Sequence, residues 1–218
     1  MTVRASQEDH IVALATAPGK SAIALVRLSG PNPRLLLKSV FQPASQAGLI
    51  PRRPTLGRIT GEGGEVLDQV LLTWFPAPAS YTGEDVIEVS CHGSLLIVQR
   101  IIHRLLSQGA RLAEPGEFTK RAFLSGKLDL VQAEAVRDLI ESHTAFQARL
   151  AAEQLGGALS RRLEPVKTEL VQILSHMETW LEFVEDEVTP EGKETLLEHQ
   201  QKIIRDLGNW PGGLNWGA

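Results

Sequence analysis

The sequence predicts an α+β protein in which a domain of strands and helices is followed by an all-helical segment. Before about residue 115, short runs rich in Val, Ile and Leu alternate with Gly- and Pro-containing turns, which is typical of strands. Beyond that point, apolar residues recur at helical spacing and no further strand pattern follows. We therefore place an α/β domain over residues 1–118, a partial helical domain over residues 119–207 and an irregular tail over residues 208–218.

Strand patterns occupy five segments of the first domain. Pro18 and Gly19, a pair typical of turns, lie between the first two segments, so we expect these to form a hairpin or a tight strand pair. In the last segment, alternation puts Glu88 on the opposite face from Ile87 and Val89, which makes Glu88 available to a ligand. The predicted strands are residues 11–16, 22–28, 56–60, 66–75 and 86–91.

Helical spacing of apolar residues predicts six helices. Asp129 followed by Gln132 is typical of an N-cap and its reciprocal partner. Pro165 is expected in the first turn of its helix, where a missing N–H costs little. The predicted helices are residues 33–41, 95–108, 117–124, 130–155, 163–184 and 191–207.

Composition indicates a globular protein of a reducing compartment. The chain is 43% hydrophobic with a mean hydropathy of −0.06. Its longest apolar runs are far shorter than the roughly 20 residues that a membrane span needs. The N-terminal residues lack the apolar stretch of a secretory signal, and the single cysteine, Cys91, cannot form an internal disulfide. We expect a cytoplasmic protein without a membrane partner.

Charge differs between the two halves of the chain. Residues 1–127 hold 14 Lys and Arg against 10 Asp and Glu, whereas residues 128–218 hold 8 against 16. A positive first half could attract an anionic small molecule or a phosphate backbone, and the acidic second half argues against direct binding of RNA there. Both halves could equally carry ordinary solvated charged faces, and charge alone does not choose between these interpretations.

Common catalytic and metal-binding motifs are missing from the sequence. No G-x-x-x-x-G-K-[ST] phosphate loop is found, and residues 19–21 and 126–127 match only fragments of it. No HExxH, CxxC or EF-hand spacing is found either, so we predict no metal site and no catalytic residue. Cys91 and His92 are neighbours on a predicted strand and point to opposite faces, which favours a buried structural thiol over a nucleophile.

Four separated motifs are far more specific than composition. In order and without large gaps, they closely resemble the MnmE family of tRNA-modification GTPases, also called TrmE, and the resemblance extends over residues 9–190. The motifs are IVALAT at residues 11–16, VRLSG at 26–30, SYTGEDVIEVSCHGS at 80–94 and PGEFTKRAFLSGKLDLVQAEAV at 115–136.

This resemblance implies a fold, a ligand and partners. The family's first domain is similar to the tetrahydrofolate-binding fold of the glycine-cleavage T protein. The family uses it to form a homodimer and to hold 5-formyl-tetrahydrofolate near the subunit interface. With the flavoprotein MnmG, the family makes a carboxymethylaminomethyl-type modification at C5 of the wobble uridine of certain tRNAs, so tRNA is an indirect partner of this region.

The family's folate contacts correspond here to Arg27, Glu88 and Lys127. A carboxylate suits paired donors of a pterin ring, and cations suit the acidic glutamyl tail. From the residues alone, Glu88 could be a solvated strand residue, Arg27 a strand-end charge and Lys127 a cation near a helix terminus. Lys20 and Ser94 stand where the family more often has Arg and Gly, and we expect neither difference to be damaging.

Parts of the family pattern are not found in residues 1–218. The GTPase domain, with its GTP, Mg²⁺ and K⁺ sites, would follow the last predicted helix, so we expect no GTP hydrolysis by these residues. The family's returning helices and the C-terminal Lys that completes the folate site are also missing, and exposed apolar faces are expected on the helical segment. A structural dimerisation fragment without a ligand site stays open. A folate-dependent aminomethyltransferase like the T protein also stays open, although the helical second half argues against it.

Overall fold

A computed structural model of the protein describes residues 9–46, 48–182 and 190–208. The chain divides into two compact units, Met1–Val136 and Arg137–Ala218. The first unit is built on a mixed sheet and the second is helical, which confirms the predicted α+β class with a helical segment. Within the described ranges, no helix combines the length and the apolar character needed to cross a membrane.

Seven strands form the sheet of the first unit, in the order β3-β4-β5-β6-β2-β1-β7. All neighbours are antiparallel except β1 and β7, which are parallel. The antiparallel pairing of β1 with β2 confirms the predicted strand pair, whereas β3 and β7 were not predicted. The strands are β1 His10–Leu14, β2 Ile23–Gly30, β3 Phe41–Pro43, β4 Thr55–Thr60, β5 Val66–Phe75, β6 Asp85–His92 and β7 Ala110–Leu112.

One face of the sheet is covered by a helix. Val98, Ile101 and Leu105 of this helix, α2, are buried and join alternating strand residues in the core of the unit. That core includes Ile87 and Val89, so the alternation predicted for β6 is correct and Glu88 points to the other face. The helices of this part of the chain are α1 Arg34–Leu37, α2 Leu95–Leu106, α3 Glu117–Leu124 and α4 Leu130–Ile140.

The opposite face of the sheet is only partly covered within the first unit. Leu56, Leu71 and Ile23 are exposed there by 45%, 45% and 64%. Strand register places Leu71 beside Leu56 on one side and beside Ser90 on the other. This apolar row lies next to the row that contains Arg27 and Glu88, so the predicted site residues border an uncovered apolar surface.

The helix boundaries near residue 140 differ from those predicted. The single predicted helix over residues 130–155 is wrong, because α4 ends at Ile140 and a new helix, α5, spans Ala145–Leu155. Thr144 caps α5, since its hydroxyl accepts the Gln147 N–H at 3.1 Å. The predicted cap at residue 129 is confirmed by reciprocal bonds of 3.0 and 2.9 Å with the residue three positions later.

Two long helices complete the second unit, α6 over Ala158–Glu182 and α7 over Pro190–Gly208. Pro165 lies inside α6 rather than in its first turn, so that prediction is wrong. The helix begins directly after Gly157, whose carbonyl accepts the Arg161 N–H at 3.0 Å, and this adds turns ahead of the proline. The predicted helix end at residue 184 and most of the predicted tail lie outside the described residues, and the predicted domain boundaries after residues 118 and 207 stay predictions.

The second unit has a small core and exposed apolar side chains. Its buried cluster contains Val166, Ile173 and Ile203, which join α6 to α7. Exposed apolar residues on its helices agree with the expectation of uncovered faces. They are Ile140, Phe146, Leu150, Leu163, Leu170, Val171, Leu174, Met177, Leu197 and Ile204.

Candidate ligand-binding site

A charged pair lies on the open face of the sheet. Arg27 of β2 is directly opposite Glu88 of β6 in the strand register. Both Nε–H and Nη2–H of Arg27 donate to the same oxygen, Glu88 Oε1, at 2.9 and 2.7 Å. Each side chain is about a quarter exposed, at 24% and 23%. Glu88 Oε2 and Arg27 Nη1 have no hydrogen-bond partner among the described residues, so the pair can still accept and donate one bond to a ligand.

Two aromatic rings contact the guanidinium of this pair. The centroid of the Tyr81 ring is 5.2 Å from Arg27 Cζ, and that of the Phe118 ring is 5.7 Å away. Both distances are within the range of cation–π attraction. The Tyr81 hydroxyl is 2.9 Å from Thr119 Oγ1, which joins the loop of residues 76–84 to α3. The site therefore combines two strands, one loop and one helix.

Lys127 lies beside the same loop. A Cβ on Gly83 would be only 3.2 Å from Lys127 Cγ and 2.6 Å from Ser125 Oγ, so the loop backbone packs closely against both side chains. Ser125 Oγ–H also donates to the Thr82 carbonyl at 2.5 Å. Lys127 is exposed, and its ammonium group forms no ion pair with any described residue. Thus Arg27 and Glu88 are in direct contact, whereas Lys127 is joined to them through the loop.

An ionic network around the buried side chains of Arg121 and Glu117, which the sequence did not predict, holds α3 beside this loop. Arg121 is 1% exposed and donates to Asp9 Oδ1 at 2.8 Å, to Glu84 Oε2 at 3.1 Å and to Glu117 Oε1 at 3.1 Å. Arg111 adds bonds to Glu117 at 2.5 and 2.8 Å and to Asp9 at 2.5 Å. The hydrogen bonds from Arg111, opposed by burial, hold the pKa of Glu117 at about 2, well below its ordinary 4.5.

Two buried hydroxyls extend this network to β2. Ser29 Oγ is 2.7 Å from Thr82 Oγ1 and donates to Glu84 Oε2 at 2.7 Å. Ser29 and Thr82 are both fully buried, so these bonds are shielded from water. Ser29 follows Arg27 by two residues on the same strand. The loop that carries Tyr81 is therefore fixed to the strand that carries Arg27.

The neighbouring Cys91 and His92 do not form a nucleophile–base pair. Cys91 is buried, and burial together with the charge of Asp68 raises the pKa of its thiol to about 11. A thiol with such a pKa is almost entirely protonated at neutral pH. The His92 side chain is 72% exposed and its Nδ1 lies 2.7 Å from Asp68 Oδ1. These features agree with the interpretation of Cys91 as a structural thiol.

Comparison with known families assigns both parts of the chain. Residues 10–127 match the family described as "GTP-binding protein TrmE N-terminus", and residues 130–210 match "MnmE helical domain". The class defined by the fold and these matches is the N-terminal and helical region of a TrmE-type GTP-binding protein. The chain belongs to the MnmE family of tRNA-modification GTPases, as the sequence motifs had indicated.

Curated relatives support the assignment to this family, and each is named tRNA modification GTPase MnmE. The chain is 47% identical over 184 residues to the protein of Koribacter versatilis, covering 84% of this chain and 40% of that protein. It is 46% identical over 200 residues to that of Akkermansia muciniphila, covering 92% and 44%. It is 41% identical over 208 residues to that of Thermotoga maritima, covering 94% and 46%. The chain therefore spans less than half the length of these relatives.

Proposed function

We propose that this chain is the folate-binding and dimerising part of a cytoplasmic tRNA-modification GTPase that acts with MnmG on C5 of the wobble uridine. The observation that carries the proposal is the Arg27–Glu88 pair, which keeps one carboxylate oxygen and one guanidinium nitrogen available on an open sheet face. The bound folate would supply the one-carbon unit. GTP hydrolysis, with its Mg²⁺ and K⁺, belongs to the part of the family pattern that residues 1–218 do not contain.

The residues at the site fit the chemistry of a reduced folate. Glu88 Oε2 can accept an N–H bond from a pterin ring, and such charge-assisted bonds are stronger than neutral ones. Tyr81 and Phe118 add apolar ring surface beside Arg27, the partner of Glu88. Lys127, exposed and without an ion pair among the described residues, suits the carboxylates of the glutamyl tail. Each part of the ligand therefore has a matching group within one unit of the chain.

Dimerisation is supported by the surface beside the charged pair. Leu56 and Leu71 are exposed side by side on the sheet face that α2 does not cover, and Ile23 is exposed on the same face. Exposed apolar surface of this kind is typical of protein interfaces. A second copy seated on this face would place the Arg27–Glu88 pair near the subunit interface, where the family resemblance puts the folate. The tRNA would then be reached through the assembled enzyme rather than through this region.

Calorimetric titration of 5-formyl-tetrahydrofolate into the chain tests this function, with light scattering as the measure of mass. Glu88→Gln keeps the shape of the side chain but removes the charge, and we expect it to weaken binding by at least about tenfold, since bonds to charged groups contribute about 1.5–3 kcal/mol. Glu65→Gln is a matched control, because Glu65 is exposed and pairs with Arg100 away from these groups.

The possible outcomes separate the competing functions. Binding at the dimer mass that Glu88→Gln weakens and Glu65→Gln does not would support the proposal. A dimer that binds no folate would favour the structural dimerisation fragment, for which the open apolar row is the specific observation. A monomer that binds no folate would contradict both. An aminomethyl-transfer assay with glycine-cleavage substrates would test the third function, resembling the T protein.

A further inference from the structure

We infer that Tyr81 and Phe118 are positioning residues whose rings hold the Arg27 guanidinium so that Glu88 Oε2 stays open to the ligand. We call the two rings and the guanidinium the clamp, and the bonds of buried Arg121 hold the two rings in position. The inference rests on the proposed folate site and names residues that neither the motifs nor the family matches assign to it. It starts from an unusual detail of the Arg27–Glu88 pair, the convergence of two N–H groups on one oxygen.

Arginine frequently pairs with a carboxylate through two parallel bonds, one to each oxygen. Here Arg27 Nε and Nη2 both bond to Glu88 Oε1, which leaves Oε2 without a partner among the described residues. A parallel pairing would occupy Oε2 and close the site to a pterin N–H. The side chain must therefore be kept from turning toward the parallel arrangement.

The aromatic rings provide this restraint. The ring centroids of Tyr81 and Phe118 lie 5.2 and 5.7 Å from Arg27 Cζ. Cation–π attraction needs the cation over the ring face within about 6 Å of the centroid, so a displacement of the guanidinium from this position would weaken both contacts. The hydrogen bond between Tyr81 and Thr119 fixes one ring relative to the helix that carries the other.

The buried network fixes the clamp as a unit. Arg121 lies one turn beyond Phe118 on α3 and bonds to Glu117 within that helix and to Glu84 at the end of the loop. Through Glu84 and Ser29 the loop is also joined to β2, two residues from Arg27. A change at Arg121 should therefore move the rings relative to the guanidinium without touching the ligand.

Tyr81 is the only tyrosine of the chain, so 3-fluorotyrosine labelling gives a single ¹⁹F resonance from the clamp. We expect Arg27→Lys and Arg121→Lys each to shift this resonance. The first substitution removes the guanidinium from beside the ring, and the second displaces the ring from the guanidinium. Exposed Arg137→Lys, whose arginine pairs with Glu141 directly after α4, is the matched control and should leave the resonance unchanged. Identical spectra for all four proteins would overturn the clamp, whether or not folate binds.

Ligand binding gives the second readout. Tyr81→Leu and Phe118→Leu should each weaken binding of 5-formyl-tetrahydrofolate by about fivefold to thirtyfold, as expected from the loss of a partly desolvated cation–π contact. Tyr81→Phe, which keeps the ring, should recover most of the affinity. Phe123→Leu is the matched control on α3, because exposed Phe123 makes no ring contact with Arg27.

The two ideas fail in different ways. If the wild-type chain binds no folate, the proposed function is wrong, and the ¹⁹F shifts still decide whether the clamp exists. If the wild-type chain binds and Tyr81→Leu binds equally well, the clamp is wrong and the proposed site stands. A fragment without the pterin ring, p-aminobenzoylglutamate, adds a specificity test. Its binding should not respond to Tyr81→Leu, and an equal loss for fragment and folate would overturn a role that acts through Glu88 Oε2.

Discussion

Replacing Glu117 by Gln is expected to lower the free energy of unfolding of the first unit by about 3 kcal/mol at pH 7. Glu117 is 4% exposed, and hydrogen bonds from Arg111, opposed by burial, hold its pKa at about 2 against an ordinary 4.5. Each pKa unit corresponds to about 1.4 kcal/mol, so the shift of about 2.5 units gives this magnitude. The loss of one partner from a buried ion pair typically costs a similar amount, about 3–5 kcal/mol.

The pH dependence follows from the sign of the shift. Because the pKa of Glu117 is lower in the folded protein, its contribution is fully present above about pH 4.5 and is lost as the pH falls toward 2. About half of it should be lost by pH 3. Glu117→Gln should therefore differ most from the wild type at neutral pH, and the difference should narrow steadily in acid.

Urea unfolding followed by the ¹⁹F resonance of labelled Tyr81 reports on the first unit alone, since Tyr81 lies in it. Titrations at pH 7, 5 and 3 give the free energy of unfolding of the wild type and Glu117→Gln. Glu65→Gln serves as the control and should change it by less than about 1 kcal/mol, because Glu65 is 49% exposed. Equal stability of the wild type and Glu117→Gln at pH 7, or a difference that does not narrow in acid, would refute the reasoning.

Two further substitutions test local geometry. Gly83→Ala should lower the stability of the first unit by more than Gly126→Ala, as measured by the same urea titration. Both glycines have positive φ, at +80° and +73°, but only at Gly83 would the new Cβ meet a neighbour, Ser125 Oγ at 2.6 Å. Thr144→Ala should cost about 1 kcal/mol through loss of the cap to the Gln147 N–H, and hydrogen exchange should rise in the first turn of α5. Unchanged exchange there, or equal costs for the two glycines, would contradict these accounts.

Strand alternation predicts correctly on which face of the sheet Glu88 lies, but it does not predict all of the strands. It put Glu88 on the face away from Ile87 and Val89, and the structure confirms this because the period of two is a local property of any strand. The two strands that alternation does not predict, β3 and β7, are three residues long and lie at the edges of the sheet. Three residues are too few to show an alternation, and edge strands are defined by a neighbour that the sequence does not reveal.

Helix periodicity does not show the end of α4, although a capping signal marks the start of α5. Thr144 and Gln147 have the spacing of a capping box, yet the apolar pattern continues through them from residue 130 to residue 155. The pattern predicts one helix because both helices keep apolar residues at the same spacing. The Ser142 hydroxyl, which donates to the Leu139 carbonyl at 2.9 Å, closes the first helix just before the cap.

The site was predictable only in part. Arg27 and Glu88 were named through family motifs, and neither residue has a local pattern that reveals their pairing 61 positions apart. The spacing of Glu117 and Arg121 is visible as an i,i+4 pair, which is common on solvated helix faces. The burial of this pair is a property of the tertiary fold, in which Arg121 bonds to Asp9, 112 positions earlier.

The same network neutralises part of the positive charge in the first half of the chain. Arg111 and Arg121 contribute to the excess of 14 Lys and Arg over 10 Asp and Glu, yet both are bonded to carboxylates inside the unit. Arg27 is likewise paired with Glu88. Charges neutralised at such short range add little to the potential outside the protein. Attraction of an anionic ligand to this site therefore depends on individual side chains such as Lys127, rather than on the net charge that the sequence displays.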